Sequence, residues 1–205
     1  SEQTAYLMID MMRDVLRTPG TAAGFPGQLN FTSDLVGKTG TSDDIRDSWF
    51  VGLNPNFTMG VWLGYEQRFG IPQRAHGYSY GQRTQMLWAR LANATYEIYP
   101  EFMAPEERFQ APAGIVSQSI CGISGKLPSD LCREAGLVTT DLFNSKFVPT
   151  EVDDSLKRVR YVQVDGEYYI ALESTPIEFT NEGISVKEEY FEFADGNIEE
   201  YIPDS

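Results

Sequence analysis

Lys38 stands among small and hydroxylated residues, Val36-Gly37-Lys38-Thr39-Gly40-Thr41-Ser42, and no other stretch gathers so many chemical groups in so few positions. On a strand, alternation puts the Thr39 and Thr41 side chains on one face, while Gly40 between them carries none. A ligand can approach such a backbone closely. Two hydroxyls, bare backbone N–H groups and an ammonium suit a substrate with a carboxylate at one end and a carbonyl that turns negative during reaction. Four residues of this kind also make an ordinary polar turn, so the surrounding elements must decide.

Those elements are legible as a helix, a hairpin and a second helix. Ala5, Met8, Met12, Val15 and Leu16 recur at helical spacing over residues 4–17, with Ser1 as N-cap and Thr18-Pro19-Gly20 as the stop. Core packing is expected for the Met8, Met11 and Met12 run. Residues 21–34 form a loop leading into the lysine strand. Trp49, Val51 and Leu53 then alternate, as do Met59, Val61, Leu63 and Tyr65 after Asn54-Pro55-Asn56, which predicts a hairpin from Asp47 to Glu66. Gly60 and Gly64 flank Trp62 and predict close packing of a helix on that face. Residues 82–99 supply it, with Leu87, Leu91 and Ala94 as the buried stripe widened by Met86, Trp88 and Ala89. Trp49 and Trp62 are expected in the core.

Beyond a Pro- and Glu-bearing connection at 100–112, residues 113–157 read as loop. The strong turn Asp165-Gly166 between Arg160-Tyr161-Val162-Gln163-Val164 and Tyr168-Tyr169-Ile170-Ala171-Leu172 then marks a small β module. Three segments follow, 1–105, 106–157 and 158–205, in an α+β architecture.

At 205 residues with 41% hydrophobic and 13% aromatic content, the chain can build a proper core. A net charge of −14 argues against nucleic acid as a partner, since a phosphate-binding surface needs a basic face. From Asn181 to Ser205 only Lys187 opposes eight acidic residues, the pattern of a solvated tail. No apolar run reaches the roughly 18 residues of a membrane span. Cys121 and Cys132 are near enough in sequence for a bridge, worth roughly 3 kcal/mol and indicating an extracytoplasmic compartment. Two free thiols fit as well, and the spacing matches no zinc site. His76 has no neighbouring Cys or His, which predicts a surface loop and no metal. Arg68, Arg74 and Arg83 are expected in surface salt bridges.

Lys38-Thr39-Gly40-Thr41, then Asp47-Ser48-Trp49-Phe50-Val51-Gly52 and Gly60-Val61-Trp62-Leu63-Gly64-Tyr65, resemble the carboxyl-terminal part of a class A penicillin-binding protein. Lys-Thr-Gly is one of three elements that recur in serine acyl-transferases of this kind. The resemblance covers most of residues 1–100, and Ser119 to Cys132 with Thr140-Asp141-Leu142-Phe143 resemble the extension that follows the transpeptidase domain in that family. It implies the end of a β-lactamase/transpeptidase-like fold, an antiparallel sheet flanked by helices. Residues 158–205 match nothing in the family pattern.

The implied chemistry is D,D-transpeptidation: a serine attacks the penultimate D-Ala carbonyl of a peptidoglycan stem peptide, D-Ala leaves, and an amine resolves the acyl-enzyme. Lys38 and Thr41 would be the catalytic contributors; Lys38, Thr39, Gly40, Thr41 and Ser42 would line the substrate. Lys38 would supply positive potential, the Thr39 and Thr41 hydroxyls would bind the substrate carboxylate, and the Thr41 N–H would be half of the oxyanion hole. No cofactor is implied. The partners would be D-Ala-D-Ala peptides, β-lactams and an upstream part of the same protein. Neither Ser-x-x-Lys nor Ser-x-Asn occurs in these residues, so the nucleophile is expected upstream or on a partner chain, with a membrane anchor and a glycosyltransferase domain expected upstream, on the outer face of the bacterial cell membrane. The rival readings are a serine β-lactamase, and a non-catalytic module that senses β-lactams or binds the cell wall.

Overall fold

Ser1 starts the first helix by accepting the Thr4 N–H on its hydroxyl, 3.2 Å away. The helix, α1, runs Glu2–Asp14, with acidic Glu2 in its first turn and basic Arg13 in its last. In the computed structural model, which describes residues 1–67 and 69–190, no residue of α1 is buried. Met8 and Met11 are 50% and 58% exposed, which corrects their expected place in the core. The chain reaches the core only beyond the helix, at Leu16, Ala22 and Phe25. Gly20 makes that fold-back possible: a Cβ there would lie 2.0 Å from the Asp14 carbonyl oxygen and 2.6 Å from that of Val15.

Three antiparallel strands follow, β1 (Val36–Thr41), β2 (Asp47–Leu53) and β3 (Thr58–Gly64), in the order β1-β2-β3, so that β1 and β3 are the edges. Asn54, almost fully buried, shapes the β2–β3 turn: its Oδ1 accepts the N–H groups of Asn56 and Phe57 at 2.8 and 3.0 Å. A two-residue pair, β4 (Arg74–Ala75) and β5 (Tyr78–Ser79), carries His76 at its exposed tip, as a surface residue. Ser79 and Gln82 form a capping box that starts α2 (Tyr80–Ile98), and α3 (Pro100–Met103) follows.

The register pairs Phe50 with Val61 and Trp49 with Trp62. The first pair is buried; the second is not, with Trp49 and Trp62 46% and 41% exposed. Helix α2 packs on the Phe50 face, opposite to the one expected, and Gly52 permits its approach, since a Cβ there would lie 2.7 Å from the Trp88 ring. The buried positions of α2 are Thr84, Gln85, Trp88, Ala89 and Ala92, whereas Leu87 and Leu91 are 42% and 46% exposed. Close contact favours small residues and one large indole over a leucine stripe. The polar groups it covers are satisfied: Ser48 and Thr84 hydroxyls share a 2.7 Å hydrogen bond, and the Trp88 indole N–H donates to the Met59 carbonyl at 2.8 Å.

These elements form one compact unit, Ser1–Ala113, and residues Gly114–Ser205 form a second. In the second, the segment expected as loop contains two antiparallel strands, β6 (Ile115–Cys121) and β7 (Val138–Asn144), with a short helix α4 (Asp130–Glu134) between them. Cys121 and Cys132 form a disulfide whose atoms are fully buried. A three-stranded sheet follows in the order β10-β8-β9, from β8 (Leu156–Val164), β9 (Glu167–Ile170) and β10 (Asn181–Val186). Asp165 and Gly166, at φ 53° and 94°, make the β8–β9 turn as the dipeptide predicts. Leu156 packs with both cysteines, and Ile184 and Val186 of β10 join them, so the residues before and after 157 share a core. Part of the acidic stretch from Asn181 is therefore strand; the expectation of a solvated tail for residues 191–205 lies outside the described residues, as does Arg68. No described helix is long and apolar enough to cross a membrane.

Beside the disulfide, Asp153 is 7% exposed and accepts hydrogen bonds from three serine hydroxyls: Ser124 and Ser155 on Oδ1, both at 2.6 Å, and Ser129 on Oδ2 at 2.8 Å. The Ser155 N–H adds a fourth, at 3.2 Å. Burial pushes this carboxyl up, but the four donors outweigh it and hold it below the ordinary aspartate range. Cys121, Cys132 and Asp153 are grouped closely enough to suggest metal ligands, but the disulfide occupies both sulfurs.

Candidate functional site

The Lys-Thr-Gly-Thr stretch is an edge strand, so alternate residues of β1 turn their N–H and C=O groups away from β2. It is fixed at both ends. At its start, Arg13 of α1 holds Asp34 through two hydrogen bonds, one of them at 3.0 Å, and Asp34 also accepts the Phe109 N–H at 2.9 Å. The hydrogen bond from Arg13 is the main cause that keeps the Asp34 carboxyl below its ordinary range. Val36 is fully buried, and the Phe50 ring lies against Gly37, where a Cβ would be 2.8 Å from Cζ. At the far end the Ser42 N–H donates to the Asp47 carbonyl, and the Ser42 hydroxyl donates to the Asp47 carboxylate at 2.9 Å. The other Asp47 oxygen accepts the Trp62 indole N–H at 2.8 Å, and these two donors, Trp62 first, hold the Asp47 carboxyl low.

Between those anchors the five expected site residues lie side by side. Register pairs Lys38 with Val51, Thr39 with Phe50, Gly40 with Trp49 and Thr41 with Ser48. Lys38 and Gly40 therefore share the face of exposed Trp49, and Thr39 and Thr41 share the other. The Lys38 ammonium is exposed and donates to the Thr39 carbonyl at 2.7 Å. It makes no ion pair among the described residues, so its positive field is not cancelled by a contacting carboxylate. Thr41 is exposed. Ser42 is the one member whose hydroxyl is engaged in holding the turn.

Sequence reasoning did not place Thr21 among these groups. Its hydroxyl lies 2.9 Å from that of Thr39, delivered there by the turn that Gly20 permits. The signal was a hydroxyl residue directly after an obligatory glycine. Arg74 and Arg83, expected in salt bridges, instead donate to backbone carbonyls: Arg74 to Gly77 at 3.0 Å, Arg83 to Ser79 at 3.4 Å and also to Pro72.

Taken together, the strand presents a cation, two hydroxyls on its opposite face and free edge amides. That arrangement can bind a carboxylate and polarise a carbonyl. Among the described residues nothing in contact with it supplies an activated nucleophile.

A family model described as "Penicillin-binding protein 1A, C-terminal domain" matches residues 111–158. Penicillin-binding protein 1A of Clostridium botulinum (strain Langeland) is 28% identical over 196 residues, 93% of this chain and 22% of that protein. The protein of the same name from Pseudomonas aeruginosa is 33% identical over 124 residues, 60% of this chain and 14% of its own length. A crystal structure of penicillin-binding protein 1A from Haemophilus influenzae superposes with a TM-score of 0.53 at 18% identity, covering 73% of this chain and 21% of that one, a likeness of fold. The chain spans about a fifth of the length of the clostridial relative.

Proposed function

Because the chain belongs to the class A penicillin-binding proteins, as a portion of one, we propose that it supplies one wall of a D,D-transpeptidase site that crosslinks peptidoglycan and is acylated by β-lactams. The observation that carries this reading is the edge strand, anchored at both ends, that holds the Lys38 ammonium, without an ion pair among the described residues, beside the Thr39, Gly40 and Thr41 backbone. A serine on the upstream part of the protein, in Ser-x-x-Lys with a Ser-x-Asn beside it, attacks the penultimate D-Ala carbonyl. The tetrahedral oxyanion is held in part by the Thr41 N–H, a donor of a kind worth roughly 3–4 kcal/mol of barrier. D-Ala leaves with a proton, and an amine of a neighbouring stem peptide displaces the serine to form the crosslink.

Each wall residue has one task in this scheme. Lys38 supplies positive potential to the substrate carboxylate and the hydroxyl network, Thr39 and Thr41 hydrogen-bond that carboxylate, and Gly40 keeps side-chain bulk off the strand. Ser42 acts through Asp47 by holding the strand's end. The parent protein carries a glycosyltransferase and a membrane anchor upstream and works on the outer face of the cytoplasmic membrane. The buried Cys121–Cys132 disulfide supports an oxidising location.

The test uses the intact parent protein. Fluorescent penicillin followed by digestion and mass spectrometry should place the adduct on a serine outside residues 1–205, and label on any serine within them would sink the proposal. Lys38→Ala should slow acylation at least tenfold, about 1.4 kcal/mol; an unchanged rate removes Lys38 from the mechanism.

A further inference from the structure

The second unit holds a groove that the transpeptidase reading leaves unused. By the register of β8 with β10 and β9, Val159, Tyr161, Gly183, Ser185, Tyr168 and Ile170 share one face of the sheet. They line a cavity of about 430 Å³, within the roughly 300–1,000 Å³ usual for ligand clefts. Tyr161, half-buried, lies across Gly183, where a Cβ would be 3.0 Å from its Cε1. It meets Tyr168 edge to face, with ring centroids 5.5 Å apart and planes at 71°. Tyr168 is 67% exposed and Ile170 59%. Neither tyrosine hydroxyl makes a hydrogen bond among the described residues.

The lining selects a class of ligand by its charge. The chain is 22% charged residues, yet no described residue lining the groove is charged. Ions would lose hydration there, and the one charge that register places on this face among the described strand residues, Lys157 opposite Ser185, lies outside the lining. What the groove offers is aromatic and aliphatic surface with hydroxyl donors and acceptors at its edge: Tyr161, Tyr168 and Ser185. A pyranose ring has the matching make-up, an uncharged body with an apolar C–H face and a rim of hydroxyls, and open faces of small antiparallel sheets serve as oligosaccharide sites in other folds.

We propose that this face binds the amino-sugar rings of a neutral β-linked glycan and thereby holds the chain on the polymer whose peptides it helps to crosslink. The choice of glycan rests on the peptidoglycan reading; the groove itself does not. The 205-residue chain is titrated with the β-1,4-linked tetramer of N-acetylglucosamine, and with cellotetraose in parallel, by following the amide signals of Tyr161 and Gly183. The N-acetylated tetramer should bind, with cellotetraose weaker. Tyr168→Ala, a change at an exposed position, should weaken binding roughly fivefold, the scale of one aromatic contact. Tyr168→Phe should keep most of it, and Tyr99→Ala in the first unit should change nothing. No shift at millimolar tetramer, or equal binding by Tyr168→Ala, overturns the site; equal binding of cellotetraose overturns the amino-sugar assignment. Self-association that Tyr168→Ala abolishes overturns it in favour of a second copy on this face. Loss of penicillin acylation in the parent with glycan binding intact would separate failure of the transpeptidase reading from failure of this one.

Discussion

Replacing Asp153 by Asn tests whether a buried charge organises the second unit. The carboxylate accepts four hydrogen bonds, three from serine hydroxyls. Hydrogen bonds to a charged group contribute about 1.5–3 kcal/mol each against about 1 for neutral pairs. Asn keeps the shape, so no cavity opens, but it leaves one oxygen to serve all four donors. The Ser129 hydroxyl, which already accepts the Cys132 N–H at 3.1 Å, loses the acceptor it donates to. The expected loss is about 3 kcal/mol at pH 7. The pH dependence supplies the sign. The folded carboxyl lies below its ordinary value, so its contribution is complete above the unfolded value of about 3.9 and fades as pH falls through the folded one. Urea unfolding followed by tyrosine emission, with hydrogen exchange at Cys121, Cys132 and Leu156, should show a large difference between wild type and Asp153→Asn at pH 7 that shrinks as pH falls below about 3.9. Unchanged protection at pH 7, or a difference that grows as pH falls, would refute the reasoning.

Three further outcomes are expected. Gly52→Val places a side chain against Trp88, a Cβ at 2.7 Å from its ring, and should destabilise the first unit by about 1–3 kcal/mol, read by tryptophan emission. Arg13→Ala leaves Asp34, whose side chain is 10% exposed, without the hydrogen bonds of its cation and should cost about 2 kcal/mol near neutral pH; because the Asp34 carboxyl is held low in the folded state, the difference from wild type should shrink in acid, as urea midpoints across pH will show. Cys132→Ser removes the constraint of a short loop, worth about 3 kcal/mol on the chain-entropy account, and should raise exchange at β6 and α4 by mass spectrometry.

What could be read from the sequence follows from where each signal lives. The lysine strand was legible because its information is local: Lys38, Thr39, Gly40 and Thr41 sit within one strand and carry their own chemistry. The Asp165-Gly166 turn was legible for the same reason. Alternation showed that Trp49 and Phe50 point to opposite faces, but which face is covered depends on α2, and there the small residues Ala89 and Ala92 decided against the leucines. Strands β6 and β7 were missed because Ser117, Gln118, Ser119, Thr139 and Thr140 blur the apolar pattern on strands that are largely exposed; the β-branched pair Ile115-Val116 and the run Val138-Thr139-Thr140 were the available clue. The disulfide stayed open because spacing permits a bridge without requiring one. Thr21 reaches Thr39 only through the Gly20 fold-back, which no periodicity records.

The outer edge of β3 bears on how such a chain survives its own synthesis. Among the described residues β3 is paired on one side only, and its sequence, Thr58-Met59-Gly60-Val61-Trp62-Leu63-Gly64, carries no charge and no proline. Native sheets blunt bare edges with just those residues. A strand left so open is a template for any other extended chain, and the interval during which it stands uncovered is one of exposure to mispairing. The order in which strands emerge and meet then sets the yield of correctly folded chains.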